Sequence, residues 1–178
     1  MNELAAFDAE DVDVRVSELL VATAEQDDDL LDASVGELLR LLRDRMRMDV
    51  VFVSEFTGGR RVFRHVEHTP GANVISPGEW SPLEQSWCQY VVDCRLPKVI
   101  PNAAREPAAQ ALSQPPFPIG AHLSTPIRLA DGSVYGTLCC FSFTADDGLN
   151  QRHLRTLQHA AQLVATKLAR RRPVLNAA

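Results

Sequence analysis

The chain has 178 residues, of which 46% are hydrophobic and 23% charged, and its formal net charge at pH 7 is −5. This length fits one domain with a sizeable core, and the acidic balance argues against the basic surface of a nucleic-acid-binding domain. No apolar run approaches the roughly 18 residues that a membrane-spanning helix requires. The first residues, MNELAAFDAEDVDVR, lack the pattern of an export signal, so we expect a cytoplasmic protein whose cysteines are reduced.

Two helices are predicted at the beginning of the chain. Residues 10–25 place five side chains at helical spacing: Val12, Val16, Leu19, Leu20 and Thr23. Residues 27–47 give a stronger pattern, whose apolar face consists of Leu31, Val35, Leu38, Leu42 and Met46. Aspartates open this second segment and arginines close it, as the helix dipole favours. We therefore expect a helical extension at residues 1–27, a domain at residues 28–172 and a tail at residues 173–178.

The rest of the chain mixes strand and helix patterns. A hairpin is predicted from strands at residues 49–56 and 61–68, joined by the turn TGGR. The later elements, in chain order, are a loop at 69–80, a helix at 82–93, a short edge strand at 95–101, a helical segment at 102–112, a loop at 113–120, strands at 121–129 and 134–143, and a helix at 149–171. This order predicts an α+β domain with a mainly antiparallel sheet of five to six strands. The terminal helices should cover one face, and the segment between the third and fourth strands should cover the other.

Three segments of the sequence resemble a known family. The stretches SWCQYVV, LPKVIPNA and STPIRLADGSVYGTLCCFS, together with the order of elements, resemble a GAF domain, a relative of the PAS sensor fold. The resemblance extends from about residue 30 to residue 169. It implies a cup between the sheet and the inserted helices, where small molecules bind, and dimerisation through the first and last helices.

The resemblance also implies which residues line the cup. In bilin-binding relatives, alternate residues of the last strand face the ligand, which here selects Tyr135, Thr137, Cys139 and Phe141, while Cys140 and Leu138 face the terminal helices. The full set of candidate ligand-binding residues is Trp87, Cys88, Val91, Phe117, Leu123, Thr125, Tyr135, Thr137 and Cys139. Trp87 is interpreted either as a ligand contact or as a core residue. His122 either lines the cup or lies within the sheet.

Cysteine spacing argues against a disulfide in the predicted helix. Cys88 and Cys94 are six residues apart, so on one helix their Cα atoms would be separated by roughly 9 Å. A disulfide needs Cα atoms within ~7 Å of one another. We expect Cys88 to be a buried structural thiol or part of the cup wall. Cys94 occupies a place where glycine is expected in such domains, so we expect it to be exposed.

Other chemistry is poorly supported by the sequence. His65 and His68, three apart in a strand, point to opposite faces, and we expect no metal site. No G-x-S-x-G motif is present. The free methionine-R-sulfoxide reductase branch of the family needs a thiol just before the fourth strand, where this chain reads SQPPFPIGAHL. The signatures of bilin attachment and of cyclic-nucleotide binding are also absent, and we therefore expect a chain that is not an enzyme.

Three functional hypotheses follow. The first is a sensory module that binds a small molecule in the cup and signals through dimer helices or a partner protein. The second is a protein-interaction module whose cup holds no ligand. The third is a thiol enzyme, such as a free methionine sulfoxide reductase, or a thiol-based redox sensor that uses Cys88 or Cys94. The sequence identifies neither a cofactor nor the ligand, the downstream partner or the pathway.

Helix periodicity predicts a homodimer. In the last helix, Leu154, Leu157, Ala161, Val164 and Leu168 follow a spacing of 3, 4, 3 and 4, which is typical of a helix-helix seam. The first predicted helix repeats this pattern at Val12, Val16, Leu19 and Thr23. The alternative is that both stripes pack on the chain's own sheet, which would leave a monomer.

Overall fold

A computed structural model describes residues 28–171 of the chain. The predicted helix at residues 10–25 and the tail at residues 173–178 lie outside this part. Helix α1, Asp28–Met46, confirms the second predicted helix, and Arg47, with a φ of 54°, follows its last turn. Its buried apolar side chains are Val35, Leu38, Leu39, Leu42 and Met46. They repeat every three or four residues, so α1 turns one apolar face towards the sheet.

The described residues form one six-stranded antiparallel sheet with the order β3-β2-β1-β6-β5-β4. The strands are β1 Val50–Thr57, β2 Arg60–His68, β3 Trp80–Pro82, β4 Val99–Ile100, β5 Ala121–Arg128 and β6 Val134–Ser142. Strands β1 and β2 form the predicted hairpin. Gly58 and Gly59 both have positive φ, as the tight hairpin turn requires. Strand β4 lies at the edge of the sheet, as predicted. The sequence did not predict β3, because three residues that include a proline show no alternating pattern.

The segment between β3 and β5 consists of short helical pieces. A 3₁₀ turn at Leu83–Gln85 leads into helix α2, Trp87–Val92, and a second 3₁₀ turn at Ala103–Arg105 leads into helix α3, Pro107–Gln110. Ser86 caps α2, because its Oγ accepts a hydrogen bond from the Gln89 backbone N–H at 3.2 Å.

Apolar residues fill both faces of the sheet. On one face, α1 and α4 (Gln151–Arg171) pack on β1, β5 and β6 around Leu138, Cys140 and Leu157. The five predicted seam residues of α4 are all buried in this cluster: Leu154, Leu157, Ala161, Val164 and Leu168. That stripe therefore serves the chain's own core. On the other face, Phe52, Phe63 and Phe141 form a second cluster beneath the inserted helices.

The architecture confirms the predicted α+β class. None of the helices in the described part combines the length and the apolar character of a membrane span.

Candidate ligand-binding cup

A cavity of about 190 Å³ lies between the sheet and the inserted segment. Strands β1, β2, β3, β5 and β6 contribute to its walls, as do α2 and the loop at residues 113–120. Five aromatic residues line it: Phe52, Phe63, Trp87, Phe117 and Phe141. Polar side chains accompany them, among them those of Arg61, Ser81, Cys88 and His122. A mainly apolar cavity with a few convergent polar groups is the usual composition of a small-molecule site.

The aromatic walls are held by contacts with one another. The ring of Phe52 meets that of Phe63 edge to face, with centroids 5.0 Å apart, and Phe117 stacks on Phe141 at 5.2 Å. The indole Nε1 of Trp87 donates a hydrogen bond to the carbonyl oxygen of Ser113 at 3.1 Å. This bond satisfies the buried polar end of Trp87 and fixes the orientation of its ring.

Arg61 brings a positive charge into this mainly apolar cup. Its guanidinium carbon lies 4.6 Å from the ring centroid of Phe63, and its Nη1 lies 3.6 Å from the Sγ of Cys88. Its Nε is buried and has no hydrogen-bond partner within the described residues. In the same part of the chain, no carboxylate lies within ion-pair distance of Arg61.

His122 on β5 is the second polar group of the cup. It is only 2% exposed, its ring meets Trp87 edge to face at 5.3 Å, and its Nδ1 has no hydrogen-bond partner among the described residues. Burial, with a further contribution from the charge of Arg61, lowers the pKa of His122 to about 3. His122 is therefore neutral at physiological pH, and its ring can offer either a donor or an acceptor.

A thiol of the cup wall, Cys88, meets a second thiol, Cys139, that lies below the cavity. The Sγ atoms of Cys88 on α2 and Cys139 on β6 are 3.5 Å apart. The hydroxyl of Ser124 lies 2.7 Å from the Cys139 sulfur, and that of Thr137 lies 3.3 Å from it. Burial opposes ionisation of both thiols, but the hydrogen bond with Cys139 and the charge of Arg61 lower the pKa of Cys88. Burial and the neighbouring Cys88 raise the pKa of Cys139. The pair therefore favours one thiolate, on Cys88.

A protein-family comparison agrees with this geometry. A family model for the GAF domain matches residues 24–169 of the chain. The chain belongs to the GAF domain family. GAF domains are a sensory and regulatory fold, and the predicted resemblance is thereby confirmed. No curated protein sequence matches the chain.

Solved structures with the same fold belong to GAF domains of different roles. The GAF domain of an Acinetobacter phosphoenolpyruvate-protein phosphotransferase has a TM-score of 0.71 at 16% identity, with all of both chains covered. The free methionine-R-sulfoxide reductase of Neisseria meningitidis, solved with its substrate, has a TM-score of 0.67 at 13% identity, with 90% of each chain covered. A phycoerythrobilin-bound GAF domain from a cyanobacterial phytochrome has a TM-score of 0.66 at 14% identity, covering 91% of this chain and 95% of that one. At these identities the similarity shows the fold alone.

In this GAF domain, some of the predicted cup residues lie at the cavity and others beneath it. Trp87, Cys88 and Phe117 line the cavity. Thr137 and Cys139 lie on the same side of the sheet but are fully buried below the cavity floor, where Thr137 Oγ1 is 2.8 Å from Ser54 Oγ. Val91 does not line the cavity, because it packs with Leu96 and Ile100 behind α2.

Three predicted cup residues lie on the opposite face of the sheet. Leu123 is part of the cluster beneath α1 and α4, and Thr125, two residues later, pairs with Leu138 on that same face. The prediction used the wrong alternation for β5. Tyr135 also packs against this cluster. A register irregularity near Ile127 leaves Tyr135 without an opposing residue in β5, so the alternation inferred for the rest of β6 does not reach it.

Arg61 and Ser81 were not predicted to line the cup, and two positions remained open for His122. His122 pairs directly with Phe141, and Arg61 with Ser81, and directly opposed residues point to the same face. The alternation of Arg61 and Phe63 along β2 could have indicated that both face the cup. Ser81 gave no such signal, because β3 itself was not predicted. Within residues 28–171, no cluster of side chains is suited to hold a metal ion.

Proposed function

We propose that this GAF domain binds a cytoplasmic small molecule in the cup and transmits its presence to a partner protein or through dimer helices. The observation that carries the proposal is the aromatic cavity lined by buried polar atoms that have no hydrogen-bond partner within the described residues. A protein interior is normally close-packed, and a void in it forfeits dispersion contacts. Buried polar atoms without hydrogen bonds cost a further ~1–3 kcal/mol each. A ligand would offset both costs, whereas a pure interaction module would gain nothing from retaining them.

We infer a binding role rather than an enzymatic one. Residues 113–123 hold no cysteine, at the place where the reductase branch of the family needs one. The structural similarity to reductases does not support the same activity in this chain, because at these identities only the fold is shared.

Mass spectrometry of the protein purified from its host tests the proposal. We expect a small molecule to co-purify in stoichiometric amount with the wild type. Ser81→Phe, on the edge strand at the cavity, should abolish co-purification by filling the cup. Ser76→Phe makes the same change at an exposed position of the preceding loop that does not line the cavity, and it should retain the molecule. A wild-type protein that never carries a molecule would favour the interaction module instead.

A second function, thiol-based redox sensing, is favoured by the 3.5 Å separation of Cys88 and Cys139. A disulfide requires the sulfurs to approach to about 2.05 Å, which is a small movement from this position. The Cys88 thiolate would attack hydrogen peroxide, forming a sulfenic acid and releasing hydroxide. Cys139, deprotonated by that hydroxide, would then displace the sulfenic oxygen and form the disulfide. Two electrons would pass from the Cys88 thiolate and the Cys139 thiol to peroxide, whose two oxygens leave as one water molecule and one hydroxide.

Peroxide treatment followed by peptide mapping tests this second function. We expect a Cys88–Cys139 disulfide in the wild type and none in Cys139→Ser. Cys140→Ser is the matched control, because the neighbouring Cys140 lies on the helix face, where burial raises the pKa of its thiol. Oxidation confined to Cys94, the exposed thiol, would overturn the redox function.

A further inference from the structure

We propose that the ligand is a small organic carboxylate with an apolar body about the size of one aromatic ring, bound through Arg61. The inference rests on the proposed function and gives the chemical class of the molecule. It rests on three features of the cavity wall: the positive charge of Arg61, its unpaired Nε, and the unpaired Oγ of the neighbouring Ser81.

The charge of Arg61 is the first part of the argument. A guanidinium is always protonated in proteins, and removing it from water is costly unless an anion accompanies it. No carboxylate in the described part of the chain pairs with Arg61. The contact with Cys88 uses Nη1 and leaves the buried Nε without a partner. A ligand carboxylate would supply the acceptor that Nε lacks, beside the Cys88 sulfur that Nη1 already contacts.

The hydroxyl of Ser81 supports a carboxylate as that anion. Ser81 on β3 lies directly opposite Arg61 on β2, so both side chains leave the same face of the sheet. The Ser81 Oγ is buried and, like Arg61 Nε, has no hydrogen-bond partner within residues 28–171. Two neighbouring donors suit the two oxygens of a carboxylate, which arginine recognises through more than one N–H group.

The other residues of the cavity wall indicate the size and the apolar character of the ligand. Phe52, Phe63, Phe117 and Phe141 offer ring faces and edges, against which an aromatic ring packs favourably. A cavity of about 150 Å³ is large enough to hold benzene, so a volume of about 190 Å³ leaves room for one ring and a carboxylate. The unpaired Nδ1 of neutral His122 allows one further hydrogen bond to a ligand substituent.

Benzoate and benzamide form a pair of probes that differ mainly in charge. Titrations should use the full chain carrying Trp80→Phe, because Trp80 is 52% exposed and would mask the fluorescence of Trp87 in the cup wall. We expect benzoate to change Trp87 emission and to bind at least about tenfold more tightly than benzamide. Calorimetry on the wild type measures the same ratio independently of the indole.

Two arginine variants test whether Arg61 causes this preference. Arg61→Gln should bring benzoate to the affinity of benzamide. Arg64→Gln makes the same change on the same strand, at an arginine that pairs with Glu55 and does not line the cavity, and it should retain the preference. Loss of the preference for benzoate in both variants would mean that the net charge of the domain causes it. That result would overturn a direct contact with Arg61. Circular dichroism of each variant shows whether the fold is retained.

The outcomes separate this inference from the proposed function. Equal binding of benzamide and benzoate would overturn the carboxylate while supporting a small-molecule cup. A neutral co-purified molecule, with no binding of either probe, would do the same. Failure of both probes and of co-purification would overturn the inference and the proposed function together.

Discussion

The Sγ atoms of Cys88 and Cys139 lie 3.5 Å apart, although 51 residues separate the two in the sequence. One thiol is carried by the first turns of α2 and the other by the central part of β6, so their approach requires α2 to pack on the sheet. From the sequence, Cys88 was compared only with Cys94 as a possible disulfide partner, because those two are close along the chain. The structure leaves Cys94 exposed, at the left-handed position that ends α2, and gives Cys88 a partner on the sheet.

Alkylation of the native protein should follow the exposure of the thiols. We expect iodoacetamide to label Cys94 first and Cys88 more slowly, because Cys88 is only 1% exposed. The charge of Arg61 contributes to the lowered pKa of Cys88, so Arg61→Gln should raise that pKa. At a pH below about 5, where Cys88 is mainly protonated, one pKa unit corresponds to about a tenfold slower reaction, whereas at neutral pH the thiolate already predominates and the rate changes little. Peptide mass mapping over time measures both rates, and labelling of Cys88 ahead of Cys94 would revive a catalytic role for this thiol.

Acid should destabilise the domain through His122. The pKa of His122 is lowered from 6.5 to about 3 on folding, so between these values the unfolded chain binds the extra proton and stability falls as pH falls. From pH 7 to pH 5 this corresponds to a loss of about 2 kcal/mol in the free energy of unfolding. Urea unfolding at several pH values measures the slope. His122→Gln should flatten it, and identical slopes for the variant and the wild type would contradict the prediction.

Gly136 should not tolerate a side chain. A Cβ at this position of β6 would lie 1.9 Å from the backbone oxygen of Ser54 on β1, where no flexible group can move aside. We expect Gly136→Ala to lower the free energy of unfolding by about 3 kcal/mol. Gly36→Ala is the matched control, because its Cβ would make only an ordinary contact on α1 and should stabilise the helix by about 0.5–1 kcal/mol. Equal effects of the two substitutions in chemical denaturation would refute this reading of the sheet.

Replacing Cys94 by glycine should stabilise the domain. Cys94 has a φ of 58°, a left-handed conformation that costs a residue with a Cβ about 1 kcal/mol. Cys94→Gly should remove this cost and raise the melting temperature. Cys94→Ser retains the Cβ and should leave the melting temperature unchanged. A similar gain in both variants would show that removal of the thiol, and not relief of the backbone conformation, stabilises the domain.

We propose that the protein is a homodimer whose contact involves residues 1–27. The stripe of α4 that suggested a dimer is buried in the chain's own core, which leaves the amphipathic pattern of residues 10–25 as the remaining argument. Light scattering at micromolar concentration should give twice the monomer mass. Deletion of residues 1–26 should reduce that mass towards one chain while circular dichroism shows an intact sheet. A full-length protein that stays monomeric at high concentration would refute the proposal.

Local patterns in the sequence were sufficient to predict the class of the fold. The three- and four-residue spacing of Leu38 and Leu42 predicted α1, and the glycine pair at residues 58–59 predicted the first hairpin. These signals act between near neighbours in the chain, where the geometry of a helix or a tight turn is fixed. The resemblance to GAF domains came from similarly local segments.

The faces of the strands were only partly predictable. Alternation placed Cys139 and Cys140 on opposite faces of β6, as the structure shows. It failed for Leu123, because a buried strand is apolar on both sides and its pattern does not show which side faces the cup. It failed for Tyr135, because an irregular register shifts the alternation at that end of β6.

The polar end of the cup was decided by tertiary structure alone. Arg61 and Ser81 lie opposite one another only because β3 pairs with β2, and three residues with a proline carry no signal for that pairing. Likewise, Cys88 meets Arg61 only when α2 closes over the sheet. The sequence determined the layers of this domain through short-range periodicity. Which charges and thiols meet between the layers depended on long-range packing, because that packing alone brings distant parts of the chain to one place.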